Sequence, residues 1–161
     1  MSFWKIIKGL NYRQLVSLTG WFLKHPLYMI STIEATLATF RISQQEFPNI
    51  HGKHNKANAF RHSLWNILIA KKCARFSSDL ETVIDWTKSI TDWHEEFSPN
   101  EPLAKAMDLH NNVFGRNFYQ QNRNLNNAHI VSKLKEELHG SILINSIEEI
   151  TDVTKMVYLE D

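Results

Sequence analysis

The sequence predicts a mainly α-helical fold, a single domain of about five to six helices with a possible short C-terminal β-hairpin. Two observations predict this fold class. The chain has 161 residues but only 5 Gly and 4 Pro, so long stretches run without a helix breaker. Within these stretches apolar residues recur at helical spacing, and capping residues or prolines stand where helices should begin. A chain of this length can bury one core, so we expect one domain over residues 1–161.

Residues 1–46 predict the N-terminal helices. Residues 2–24 fit one or two short amphipathic helices, and Pro26 suits the first turn of a helix that runs to about residue 46. Residues 47–57 predict a loop. Trp4, Trp21 and Phe22 make the first segment aromatic enough to form a face that binds a membrane surface or a protein partner, although packing against the rest of the domain is the first expectation.

Residues 58–119 predict a core of three helices, each with one histidine among apolar residues. On the first, three cations mark the solvent side, so His62 and Asn66 are expected to point inward together. The second should begin at Ser78 with a capping box. The apolar side of this helix, which should face inward, centres on His94 and has Glu95 at its edge.

The third helix of this core should begin after Asn100 as its cap. His110 falls in its apolar stripe, and Asn111 borders that stripe. Asp108 projects about 160° away from His110 on a regular helix and should point outward. The two side chains therefore should not bind the same ion.

Residues 128–161 predict one more helix and two short β-prone segments. The helix should span 128–139 and stop at Gly140. Residues 142–144 and 156–159 could pair as a small terminal hairpin.

Composition excludes several classes of protein. The formal net charge of +1 gives no global reason to expect nucleic-acid binding. The single Cys73 lies on an inward helical stripe and is expected to be a core thiol. We find no apolar run long enough for a transmembrane span and no secretory signal peptide. The expected location is therefore the cytoplasm, or outside the cell by a pathway that does not use a Sec signal peptide.

The three histidines suggest a shared polar pocket, and a metal ion is the first interpretation. His62, His94 and His110 could bind a divalent metal, zinc as the first guess, and leave a position for water or substrate. Glu95 would act as general base or replace a ligand. The surrounding polar side chains would position the others, namely Asn66, Asn111, Asn112 and Asp108.

Two metal-free interpretations remain open beside the first. His62 and His94 could work as an acid–base pair, with Arg61 or Arg116 stabilising an anionic group of the substrate. Alternatively, the same histidine, arginine and asparagine side chains could form a buried hydrogen-bond network with no catalytic role.

The order His62, His94-Glu95, Asp108 resembles that of metal-dependent phosphohydrolases marked by a His-Asp pair. Glu replaces Asp in this chain, so no residue role is transferred from that group.

A second resemblance rests on longer motifs. Residues 58–62 read Asn-Ala-Phe-Arg-His, and residues 108–116 read Asp-Leu-His-Asn-Asn-Val-Phe-Gly-Arg. With the His-Glu pair, they resemble a bacterial family of uncharacterised helical domains over roughly residues 45–120. That family occurs as small proteins and as parts of toxin-like exported proteins, which implies a bacterial origin and an effector-like role. No activity accompanies it.

Taken together, the residues predict a hydrolase acting on an anionic phosphoester, lipid-like or cell-wall intermediate, and the resemblance adds the expectation of a toxin or effector. The alternative is a helical interaction protein, such as an immunity or adaptor protein, with a structural polar network. An exposed apolar patch would favour this alternative.

Overall fold

The computed structural model describes residues 12–48 and 54–160, and the predicted mainly α fold is confirmed. The part of residues 2–24 that precedes Tyr12, including Trp4, lies outside the described residues. The helices of the described part are α1 (Tyr12–Lys24), α2 (Pro26–Glu46), α3 (Lys56–Cys73), α4 (Leu80–Phe97), α5 (Pro102–Gln121) and α6 (Asn127–His139).

Capping side chains define where these helices begin. Asn55 accepts hydrogen bonds from the backbone N–H groups of Ala57 and Asn58 and so starts α3. Asp79, rather than the expected Ser78, caps α4 by accepting from the next helical N–H groups. A carboxylate at this position also interacts favourably with the positive end of the helix dipole.

The start of α5 differs from the expectation as well. Its N-cap is Glu101, which makes no side-chain capping bond, and Pro102 occupies the first turn. Asn100 instead directs its amide to Asp108, 2.9 Å away. The predicted cap is therefore wrong, because a buried carboxylate offers this amide a better partner.

The hydrophobic core centres on α3, which packs against α2, α4, α5 and α6. The residues that fill the core from α3 are fully buried, among them Phe60, Leu64, Ile67, Leu68 and Ile69. Cys73 is also fully buried, and burial raises its thiol pKa to about 12. Cys73 is thus a packed core thiol, as predicted.

α1 contacts this core through its inward side. Trp21 lies against Trp86 and Trp93 of α4, with ring centroids 5.8 and 5.9 Å apart. Leu18 packs beside it. Among the described helices, none is long and apolar enough to cross a bilayer.

The two β-prone segments pair after α6, and their direction is parallel. Strand β1 (Ile142–Leu143) aligns Ile142 with Val157 and Leu143 with Tyr158 of strand β2 (Val157–Tyr158). A crossover containing a short 3-10 helix (Glu148–Ile150) joins them, so the connection is not the tight turn of a hairpin. Val157 and Ile144 form a small second core with Met107 of α5.

Candidate functional site

A buried polar cluster lies where three helices meet. His62 of α3, Glu95 of α4 and Asp108 of α5 are 4%, 0% and 1% exposed. One ligand-type atom from each lies within 4.8 Å of the others. Burying three ionisable groups together is costly unless they share protons, hydrogen bonds or a bound cation, so this cluster is the candidate functional site.

The imidazole of His62 lies between the two carboxyl groups. Its Nδ1 is 3.4 Å from Glu95 Oε1, and its Nε2 is 3.4 Å from Asp108 Oδ1. Asn112 Oδ1 is 3.3 Å from Nδ1. Each carboxyl therefore addresses a different ring nitrogen, which is an arrangement that can fix both the orientation and the tautomer of the ring.

Amide side chains hold the two carboxyl groups in place. Asn58 donates to Asp108 Oδ1 at 3.1 Å, and Asn100 donates to Oδ2 at 2.9 Å. Asn112 donates to Glu95 Oε1 at 3.4 Å. Glu95 Oε2 is buried and has no hydrogen-bond partner within the described part of the chain. That oxygen is the one atom of the cluster left for a proton or a cation.

Arg61 supplies a positive charge at the edge of the cluster. Its Nη2 lies 3.2 Å from His62 Nε2 and also contacts Asn58 Oδ1. Arg61 is only partly buried, so its guanidinium joins the buried groups to the surface. The guanidinium and Asp108 are thus on the same side of the His62 ring.

Arg116 forms buried hydrogen bonds that support the cluster. Its Nη1 donates to Asn66 Oδ1 at 3.0 Å and to Thr91 Oγ1 at 3.3 Å. Asn66 in turn donates to Asn112 Oδ1 at 2.7 Å. Since Arg116 is 5% exposed, these bonds orient the asparagines that contact the cluster.

The environment keeps the cluster close to neutral charge. Burial, followed by the positive charge of Arg61, holds the pKa of His62 well below its usual range. Burial, reinforced by the neighbouring Asp108, raises the pKa of Glu95 to about 8, and burial raises that of Asp108 to about 7. The two 3.4 Å His62–carboxyl contacts are therefore not ion pairs of a charged imidazolium.

The other two histidines have different surroundings. His94 is exposed, with its ring 5.1 Å from that of Trp65 in an edge-to-face contact. His110 bonds through Nε2 to the backbone oxygen of Lys155 at 2.7 Å, beside β2. The three imidazoles that the sequence suggested as ligands of one metal ion are thus not gathered around one point; only His62 belongs to the cluster.

Three side-chain orientations expected from the helical pattern are wrong. Glu95, expected at the edge of its helix's inward face, is completely buried, whereas His94, expected at the centre of that face, is exposed on one side and packs its ring against Trp65 on the other. Asp108, expected to point outward, is buried opposite His62. The buried face of α5 is polar: Asp108, Asn111, Asn112 and Arg116 recur at helical spacing with Gly115. This helical spacing of polar residues is the sequence signal that could have indicated the buried face of α5.

The motif ending in Gly115 also has a packing role. A Cβ built at this glycine would lie against the backbone oxygen of Ser63 and 2.9 Å from its Cα. α3 and α5 approach too closely there for any side chain. Asn111, nearby on α5, binds both the N–H and the carbonyl of Val157 and so attaches β2 to the helix, rather than joining the cluster.

The sequence profile of a family described as a domain of unknown function, DUF6973, matches residues 19–142. The chain belongs to this family. The match includes α2 to α6 and every member of the buried cluster. No curated protein and no solved structure matches the chain. For this DUF6973 domain, the site itself is therefore the basis for a functional proposal.

Proposed function

We propose that this protein is a hydrolase in which His62, Glu95 and Asp108 bind one divalent metal ion. The observation that carries the proposal is the placement of two buried carboxyls on the two sides of one neutral imidazole, with Glu95 Oε2 lacking a partner among the described residues. A divalent cation would satisfy that oxygen and compensate the charge of both carboxylates.

The donor set suits a catalytic rather than a purely structural ion. One imidazole nitrogen and carboxylate oxygens are ligands for zinc, manganese or iron, with zinc as the first choice here. Three protein ligands would leave a position for water, and a bound ion would lower the pKa of that water towards neutrality. Asn58, Asn100 and Asn112 would keep both carboxylates next to the imidazole.

The position of Arg61 favours an anionic substrate. It is partly exposed and contacts the cluster at His62 Nε2, and its guanidinium can bind the oxygens of a phosphoester in a bidentate manner. Phosphoesters, including those of lipid or cell-wall intermediates, are accordingly the first class to assay. A small hydrolase of this kind could act as a toxin or effector, and slower bacterial growth on inducible expression, restored by Asp108→Asn, would be the corresponding test.

The decisive experiment compares neighbouring glutamates. We expect the untagged wild-type protein to contain near-stoichiometric zinc, manganese or iron by elemental mass spectrometry, and to hydrolyse an activated phosphoester. Glu95→Gln should lose both properties. Glu96→Gln is the matched control, because Glu96 is exposed and adjacent in sequence. Wild-type protein that stays metal-free when incubated with these ions and shows no hydrolysis would refute the proposal.

One observation favours a second candidate function. The three cluster residues are nearly inaccessible, and they form hydrogen bonds with several buried asparagines. Such a network can specify a unique helical core in a binding protein without any chemistry. In that case the wild-type protein would contain no metal and show no hydrolysis. Glu95→Gln would then change only the free energy of unfolding.

A further inference from the structure

The outward side of α1 is apolar. Tyr12, Leu15, Val16, Phe22 and Leu23 are 80%, 41%, 52%, 43% and 77% exposed. At about 100° per residue they share one side of the helix, opposite the inward Trp21. The core contacts of α1 therefore do not use this face, which we call the outer apolar face.

Exposed apolar side chains continue past the end of α1. Leu27 and Ile30, in the first turns of α2, are 51% and 46% exposed. Single exposed apolar residues are common on protein surfaces, but a run of this length on successive helices makes this region a candidate interaction surface.

The stretch of sequence that contains this face carries charges of one sign. Residues 1–33 contain Lys5, Lys8, Arg13 and Lys24 and no Asp or Glu; the first acid of the chain is Glu34. Because the whole chain has a formal net charge of only +1, the remainder is net acidic. Arg13 and Lys24 are exposed and lie on one flank of α1, beside the outer apolar face.

We propose that α1 and the beginning of α2 bind the surface of an anionic lipid bilayer. The helix would lie in the plane of the interface, with the outer apolar face among the upper acyl chains and Arg13 and Lys24 at the lipid phosphates. An exposed apolar stripe, aromatic side chains and flanking cations without acids are the features of interfacial helices. This inference does not depend on the metal site.

The test uses the full chain and sedimentation with lipid vesicles. We expect binding to vesicles that mix phosphatidylcholine with phosphatidylglycerol, weaker binding at high salt, and little binding to phosphatidylcholine alone. Val16→Gln with Leu23→Gln should weaken binding by about tenfold or more, since two apolar side chains no longer leave water. Arg13→Gln with Lys24→Gln should weaken it by about fivefold for each charge removed at low salt.

Matched controls lie elsewhere on the surface. Val113 and Ile147 are 45% and 48% exposed but lie outside α1 and α2, so Val113→Gln with Ile147→Gln should leave vesicle binding unchanged. Lys133→Gln is the corresponding control for charge. Circular dichroism would establish that every variant keeps its helix content.

Three outcomes would overturn the inference. The first is wild-type protein that does not sediment with anionic vesicles. The second is binding that the α1 variants and the controls reduce equally. The third is a wild-type dimer, seen by analytical ultracentrifugation, that Val16→Gln with Leu23→Gln dissociates while vesicle binding is absent or unaffected. The last result would assign the outer apolar face to a second copy of this chain.

Discussion

At the scale of single residues, Arg61 has two opposing effects on the candidate site. Its guanidinium lies 3.2 Å from His62 Nε2 and lowers the pKa of that imidazole, which favours the neutral form that binds metals. The same positive charge repels a cation approaching Nε2 and Asp108. An anionic substrate that attracts Arg61 would relieve this repulsion, so metal and substrate binding should be coupled through this side chain.

Arg61→Gln should therefore separate the two effects. We expect metal affinity to rise by on the order of tenfold or more, because a nearby positive charge is removed from a site of low dielectric. Hydrolysis of an anionic phosphoester should fall, since the substrate loses its counter-charge. Isothermal titration calorimetry and steady-state kinetics measure the two quantities.

The matched control is Arg75→Gln, because Arg75 lies just beyond the end of α3 and pairs with the surface residue Glu34. This variant should change neither the metal affinity nor the rate of hydrolysis. Weaker metal binding by Arg61→Gln would contradict the proposed role and would indicate that Arg61 holds the cluster together.

At the scale of secondary-structure elements, the site depends on the close approach of α3 and α5. Gly115 contacts the backbone of Ser63, one residue from His62, and Asp108 lies two turns earlier on α5. The distance between His62 and Asp108 is thus set by a position at which no side chain fits. Helix packing and site geometry are therefore linked through one glycine.

Gly115→Ala should destabilise the fold and separate the cluster. The added methyl group meets backbone atoms that cannot rotate away, so we expect a loss of about 1–3 kcal/mol or more in the free energy of unfolding. Gly20→Ala is the matched control, because a Cβ there meets nothing within 4 Å and alanine is the better helix former. That control should stabilise the protein by about 0.5–1 kcal/mol. Equal stability of the two variants in urea denaturation would show that α3 and α5 can readily separate.

At the scale of the whole molecule, the cluster joins three helices that are distant in sequence. His62, Glu95 and Asp108 come from α3, α4 and α5, and the first and last are separated by 46 positions in the sequence. An ion held by all three would connect these helices only in the folded state. Metal binding should accordingly be visible as global stability.

Addition of the preferred metal should raise the thermal midpoint. At a free concentration of about 100 times Kd, linkage predicts about 2.7 kcal/mol of stabilisation, which corresponds to roughly 5–10 °C for a domain of this size. Chelation should reverse the shift, and Glu95→Gln should abolish it. Differential scanning calorimetry measures the midpoint. An equal rise in the thermal midpoint of the Glu95→Gln variant would mean that the ion binds elsewhere.

The sequence by itself determined the helical fold, most helix limits and the inward face of α3. These depend on local signals: breakers, caps and periodic apolar side chains with cations opposite them. His62 and Asn66 were placed correctly for that reason. The pairing of the two terminal segments also followed from their β propensity.

Only the tertiary structure decided which polar residues of α4 and α5 face inward. Helical phase was inferred on the assumption that charged residues face water, which placed His94 and His110 inside and Asp108 outside. The docking of both helices against α3 instead buries Glu95 and Asp108, because these carboxyls find partners in His62 and in the amides of Asn112 and Asn58. It leaves His94 exposed and His110 half-buried. A buried carboxyl is stabilised by partners from distant parts of the chain, and no local pattern in one helix contains that information.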